Sequence, residues 1–234
     1  MDGDKQVVDG GRPPSDREPL DTARIVAAAV AFIDKHDLRE LTMRRLGAAL
    51  GVEAMALYRY VPSRDDLLDL VVGSIIDELH VDEDVLDAPD SGWQDYLQRL
   101  AHGVRRVALA HPAVFPLVAS RPPEAPWLRP PLRSLAWVES FLAAMRSEGF
   151  DRKGAVAAYR AFTSFMLGHL LLEVAAMGID MTPIDDERTS QGDADLSEFP
   201  YLAEMREDLA DDESLTEFEE SLENLLNRIA LLQA

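Results

Sequence analysis

Five side chains between positions 42 and 64 could meet a polyanion: Thr42, Arg44, Tyr58, Tyr60 and Arg64. Hydroxyls and guanidinium groups are what phosphate oxygens accept hydrogen bonds from. An arginine can also grip guanine with two parallel bonds. Arg44 is therefore expected at a base edge, with a solvated or phosphate-bound arginine as the plainer alternative. Tyr58 and Arg64 are expected at phosphates, although Tyr58 could instead pack against a neighbouring helix. Residues 42–64 carry Arg44, Arg45, Arg59 and Arg64 against Glu53 alone, a local charge of +3. The whole chain has a formal net charge of −20, which taken alone argues against nucleic acid. The distribution matters more than the total. Residues 178–220 hold 16 acidic and 2 basic residues, far along the chain from the basic island.

Catalytic chemistry finds little support. The chain has no cysteine, which removes disulfides, thiol nucleophiles and Cys-based zinc sites. Its five histidines, His36, His80, His102, His111 and His169, include no pair at helical metal-ligand spacing. There is no glycine-rich phosphate loop, and no hydroxyl nucleophile has a base nearby in sequence. An enzyme is not expected, and neither is a metal or other cofactor.

A second set of side chains could bind a small molecule. Tyr159, Phe162, Met166, His169, Glu173 and Met177 recur at spacings of 3, 4, 3, 4 and 4, one face of a helix. Such a face is often plain core, yet burying His169 and Glu173 without partners is costly. A cavity wall with two polar anchors accounts for it; a hydrogen-bonded pair at a dimer interface is the alternative. Trp93, Phe115, Trp137 and Met145 are expected to complete the wall, with His102 either joining it or facing solvent. The expected ligand is mostly apolar, neutral or cationic, with Glu173 to pair a cation. The opposite face, Ala161, Phe165, Gly168, Leu172 and Ala176, is small and apolar. With Phe218, Leu222 and Leu225 of the last helix it is expected to build a four-helix homodimer interface.

The elements that must position these groups are helices. Leu and Ala number 62 against 30 for Val, Ile and Thr, which predicts an all-α fold. Asp21 should cap a helix over Thr22–His36, Thr42 a short one ending at Gly51, and Ser63 with Asp66 a longer one to about His80. A third short helix is expected over Glu53–Val61. Leu46, Ala49, Val52 and Leu57 should pack between the short pair, with Ala48 allowing close approach. Residues 1–18 read as a disordered arm, 19–80 as a helix-turn-helix domain, 81–91 as a linker, and 92–234 as a helical-bundle domain for ligand binding and dimerisation. Seven prolines in 111–131 leave room for at most one short helix there. The acidic stretch 178–198 reads as a solvated loop. No apolar stretch approaching a membrane span and no secretory signal are evident, so the cytoplasm is the expected compartment.

The segment from Leu41 to Leu68 reads L-T-x-R-x-L-x-x-x-L-G-V-x-x-x-x-L-Y-x-Y-V-x-S-R-x-x-L-L. Here the chain resembles the tetracycline-repressor (TetR) family of bacterial regulators. The remainder is similar more weakly, through Trp93, His111-Pro112, Ser120-Arg121-Pro122, Gly149-Phe150 and Phe165–Gly168 followed by Glu173. The resemblance implies a three-helix DNA-binding domain whose helix over 53–61 enters the major groove. Thr42, Met43, Arg44, Ala54, Met55, Ala56, Tyr58, Arg59, Tyr60 and Arg64 are the implied contacts, with Ala54, Met55 and Ala56 against thymine methyls or as filler. It also implies a repressor released from a palindromic operator by a small effector. The family's magnesium-binding histidine corresponds by spacing to Leu117 here, so a magnesium–tetracycline complex is not the expected effector. A helical ligand-binding or scaffold protein without DNA binding is the competing reading.

Overall fold

The computed structural model describes residues 19–81, 91–121, 125, 127–130, 134–179 and 195–233, and all regular structure among them is helical. The expected arm over 1–18, nearly all of the linker and most of the acidic loop lie outside the described residues. The helices are α1 (Thr22–His36), α2 (Met43–Leu50), α3 (Ala54–Leu57), α4 (Arg64–Val81), α5 (Trp93–Ala110), α6 (Phe115–Ser120), α7 (Leu135–Ser147), α8 (Arg152–Ala176), α9 (Pro200–Glu204), α10 (Arg206–Ala210) and α11 (Ser214–Ala230). A 3-10 turn, Leu38–Glu40, joins α1 to α2.

Local chemistry sets the helix starts. Asp21 accepts from the Arg24 amide at 2.8 Å, Thr42 from Arg45 at 3.2 Å and Asp151 from Gly154 at 2.6 Å. Each satisfies an amide that has no partner inside its helix. Ser63 accepts from the Asp66 amide at 3.1 Å and donates to its carboxylate at 2.7 Å, the capping pair expected at the start of α4. Gly51 ends α2 with φ 70°, a left-handed conformation that suits glycine.

α1, α2 and α3 pack around the start of α4 and form the head of the molecule, with Ile25, Ile33, Leu46, Leu57 and Leu67 fully buried. The same hydrophobic core continues along α4 through Val72 and Ile75 into the remaining helices, the body. There α8 is central, packing against α5, α6, α7 and α11. α8 is long and apolar enough to cross a bilayer by length and composition alone. Its buried face, including Ala158, Phe162, Met166 and Val174, marks it as a core helix instead.

Candidate functional site

The head presents a small polar surface on a rigid base. α3 is one turn, shorter than the helix expected over 53–61. Its end is closed by the Tyr60 and Val61 amides, both donating to the Leu57 carbonyl at 2.9 and 3.0 Å. Val61 is fully buried and holds this turn down, so Tyr58, Arg59 and Tyr60 stand on the surface. Met55 projects from the middle of α3 and is largely exposed, with Ala54 and Ala56 half-buried beside it. Thr42 and Arg44 are exposed at the start of α2. Arg45 is engaged instead with Glu40.

Three expectations for the head need correction. Met43 is buried, because the first turn of α2 rotates it into the core, so it is not part of the exposed surface. Arg64 is not a free phosphate ligand. Its Nε donates to the Leu41 carbonyl at 2.9 Å and its Nη2 to Leu38 at 3.0 Å, tying α4 to the 3-10 turn. The close approach of α2 and α3 is made at Gly47, not Ala48, which is exposed like Ala49. A Cβ on Gly47 would lie 2.9 Å from the Val52 carbonyl oxygen and 3.2 Å from the Ala54 nitrogen.

In the body, five helices line a small void of about 60 Å³. Phe162, Thr163, Met166 and Leu167 of α8 form one wall, and Val104 and Val107 of α5 another. Phe115 and Val118 of α6, with Trp137 of α7 and the preceding Ser134, close the sides. Ile75 and Ile76 of α4 complete it. Among the described residues no charged side chain lines the void.

Four of the expected wall residues are present: Phe115, Trp137, Phe162 and Met166. The others sit elsewhere, because a 25-residue helix is roughly 37 Å long at 1.5 Å per residue and outruns any one pocket. Its single face meets successive neighbours. Tyr159 lies toward Trp137 and Phe141, with ring centroids at 6.3 and 5.8 Å, and its hydroxyl donates to Pro130 at 3.0 Å. Burial pushes its pKa up to about 12, against a smaller lowering by the nearby Thr163 hydroxyl. His169 packs on Phe218, ring centroids 5.4 Å apart, and Met177 is half-exposed past the helix end. Glu173 is engaged with Arg105, whose Nε donates to it at 3.1 Å and whose Nη2 makes a second, shorter bond. The two side chains are 8% and 17% exposed, so Glu173 is neutralised inside the protein rather than held open for a cation. Trp93 packs edge-on against Phe150 at 5.3 Å, at the opposite end of α5 from the void. Met145 is fully buried toward the end of α7. His102 lies on the α5–α11 surface, 3.6 Å from Glu219. Leu117 is buried but does not line the void.

Two polar clamps fasten the body to the head through α4. Arg121, just beyond α6, donates from Nε to Asp69 at 2.8 Å and from Nη2 to the Asp65 carbonyl at 3.1 Å. Burial disfavours its charge, but the hydrogen bonds and charges of Asp69 and Asp65 outweigh that and raise its pKa. His111, between α5 and α6, has Nδ1 2.7 Å from Asp34 of α1 and Nε2 3.2 Å from Glu78 of α4. Neither clamp was evident from sequence, since the partners lie 52 or more residues apart in the Arg121 case and 77 for His111–Asp34.

The outer face of α8 and α11 is open in part. Gly168 has no atom within 4 Å of where a Cβ would stand, and Leu172 is largely exposed. Phe165 and Leu225 are half-buried. Phe218 and Leu222 are instead fully enclosed within the subunit, Phe218 beneath Phe165, His169 and the Arg105 guanidinium. Both belong to the subunit core and are removed from the expected interface.

A helix-turn-helix head held by one long helix to a helical body with an internal apolar void defines a two-part helical regulator. Comparison with known proteins gives the family. Residues 25–71 match the profile described as bacterial regulatory proteins, tetR family, and residues 87–231 match tetracyclin repressor-like, C-terminal domain. The chain belongs to the TetR family. It is 33% identical over 150 residues to an HTH-type transcriptional regulator of Saccharopolyspora erythraea, covering 64% of this chain and 59% of that protein. It is 32% identical over 163 residues to the HTH-type transcriptional repressor DrrR1 of Streptomyces coeruleorubidus, covering 68% and 57%. The match thus spans less than two thirds of the length of these relatives. Among solved structures, a possible TetR family transcriptional regulator from Streptomyces coelicolor A3(2) is 30% identical, with a TM-score of 0.72 over 90% of this chain and 99% of that one.

Proposed function

We propose that the chain is a homodimeric, non-catalytic DNA-binding repressor of the cytoplasm, released from its operator when a small molecule enters the body. The observation that carries this reading is the double role of α4. Its first residue, Arg64, ties it to the head, while Ile75 and Ile76 line the void. A site for a drug-sized ligand needs roughly 300–1,000 Å³, so a void of about 60 Å³ must be forced open. Moving the α4 wall moves the head. Effector and operator affinities are then coupled reciprocally, by ~1–3 kcal/mol in typical cases.

In this reading residues 19–80 are the DNA-binding domain and 92–234 the effector and dimerisation domain. Arg44 reads a base edge, Met55 with Ala54 and Ala56 meets base methyls, and Thr42, Tyr58, Arg59 and Tyr60 hold phosphates. Arg64 acts indirectly by holding the head. Two copies related by a two-fold axis would read half-sites about one helical turn, ~34 Å, or a multiple apart.

A second copy suits the open α8–α11 face. Arg152, Lys153, Arg160 and Arg228 flank a groove at one end. The helices run antiparallel there, since a Cβ on Gly154 would meet the Leu232 carbonyl at 2.6 Å while Phe165 stacks on Phe218 farther along. Glu217 and Glu220 lie toward the other end of α11. A two-fold axis across the helices brings basic end against acidic end, which favours an antiparallel pair.

Mobility-shift titration of the chain's own promoter fragment at several salt concentrations tests the function. A specific, salt-dependent shift supports it. Absence of any shift at low salt would favour the helical binding or scaffold protein instead.

A further inference from the structure

We propose that the effector is an uncharged, largely apolar molecule with one oxygen-bearing polar group, and that the Thr163 hydroxyl is the group that recognises it. The inference rests on the void being the effector site. Thr163 is 3% exposed and lines the void in the middle of α8. Among the described residues, its Oγ1 is the one buried side-chain nitrogen or oxygen that makes no hydrogen bond of good distance and angle; the Tyr159 hydroxyl is near enough to feel it but is not placed to bond it. Buried hydroxyls are rarely left unpaired, because losing water without gaining a partner is unfavourable. Valine would fill the same space without that penalty. A threonine there makes physical sense if a ligand atom supplies the missing bond.

The neighbouring polar groups are already committed. Ser134, the other hydroxyl on the lining, accepts from the Trp137 amide at 3.2 Å as the cap of α7. The Tyr159 hydroxyl, one turn before Thr163, donates to Pro130 at 3.0 Å. Glu173 and Arg105 neutralise one another. Among the described residues no unpaired charge lines the void, so an ion entering it would shed its hydration without compensation from them. Apolar and aromatic walls with a single orienting polar group describe a site for a neutral molecule. Met166 gives the wall a flexible side chain that can yield as the void expands.

The test uses the full chain without DNA and four naphthalenes of similar shape: naphthalene, 1-naphthol, 1-naphthoate and 1-naphthylmethylammonium. Binding is followed by calorimetry and by the change in tryptophan emission, to which Trp137 on the void wall contributes. Naphthalene and 1-naphthol should bind, and both ions should bind at least about tenfold more weakly than 1-naphthol. Thr163→Val should weaken 1-naphthol by about tenfold, one hydrogen bond's worth, and leave naphthalene unchanged. Thr163→Ser should restore 1-naphthol. The proposal is overturned if Thr163→Val leaves the 1-naphthol to naphthalene ratio unaltered, if either ion binds best, or if none of the four binds. Binding of 1-naphthol that obeys these rules but never releases a promoter fragment would leave this inference standing and remove the repressor reading.

Discussion

Breaking the Arg121–Asp69 clamp should change operator affinity without touching the DNA surface. The bond is charge-assisted at 2.8 Å, with a second contact to the same oxygen, and the side chains are 18% and 30% exposed. Hydrogen bonds to charged groups contribute ~1.5–3 kcal/mol net when shielded from water. Besides its bond to the Asp65 carbonyl, Arg121 has Nη1 3.3 Å from the Asp65 carboxylate, a contact that adds little because that carboxylate is 80% exposed. A loss of about 2 kcal/mol in the docking of α6 on α4 is therefore expected for Arg121→Gln, roughly a thirtyfold change in an equilibrium constant. That is the size of a typical allosteric coupling. Arg121→Gln and Asp69→Asn should each weaken operator binding by up to about thirtyfold. A double-mutant cycle in urea unfolding should return a coupling of about 1.5–2 kcal/mol between them. Because a looser α6–α4 contact makes the void easier to open, 1-naphthol affinity should hold or rise in both variants. A coupling below about 0.3 kcal/mol, or full operator affinity in Arg121→Gln, would refute α4 docking as the link between void and head.

Other outcomes follow from single contacts. Gly47→Ala drives a Cβ against backbone atoms that cannot rotate away, so the head should lose ~1–3 kcal/mol and a melting curve should fall together with operator binding. Gly168→Trp or Leu172→Glu should yield folded monomers in sedimentation, whereas Leu222→Asp should unfold the subunit because that side chain is buried within it. Burial raises the Tyr96 pKa to about 12 from 10.0, with Arg99 opposing the shift. The fold therefore holds this proton more tightly than the unfolded chain does. That stability is complete below pH 10.0 and is lost as pH rises toward 12, and urea midpoints for Tyr96→Phe should fall less across that interval.

The sequence by itself determined the features set by near neighbours. Asp21, Thr42, Ser63 and Asp151 cap helices three residues away or less, and Gly51 takes its turn conformation for want of a Cβ. The local motif from Leu41 to Leu68 was sufficient to identify the head and the family. The tertiary structure decided which side chains do what within that frame. Period and spacing define a face of α8 but not the height at which each neighbour crosses it. Only Phe162 and Met166 of the six-residue stripe therefore reach the void, and Thr163, on the next residue, reaches it too. Arg105 meets Glu173 across 68 residues, which turns an apparent cation site into a closed ion pair. Arg64, expected at a phosphate, folds back onto carbonyls 23 and 26 residues earlier. Ile75 and Ile76 look like ordinary core residues of a connecting helix, and carry no local signal of a cavity. Hydrogen bonds within one turn are fixed by residue type and spacing. Pairings between distant helices depend on how those helices dock, and docking is settled by the whole core at once.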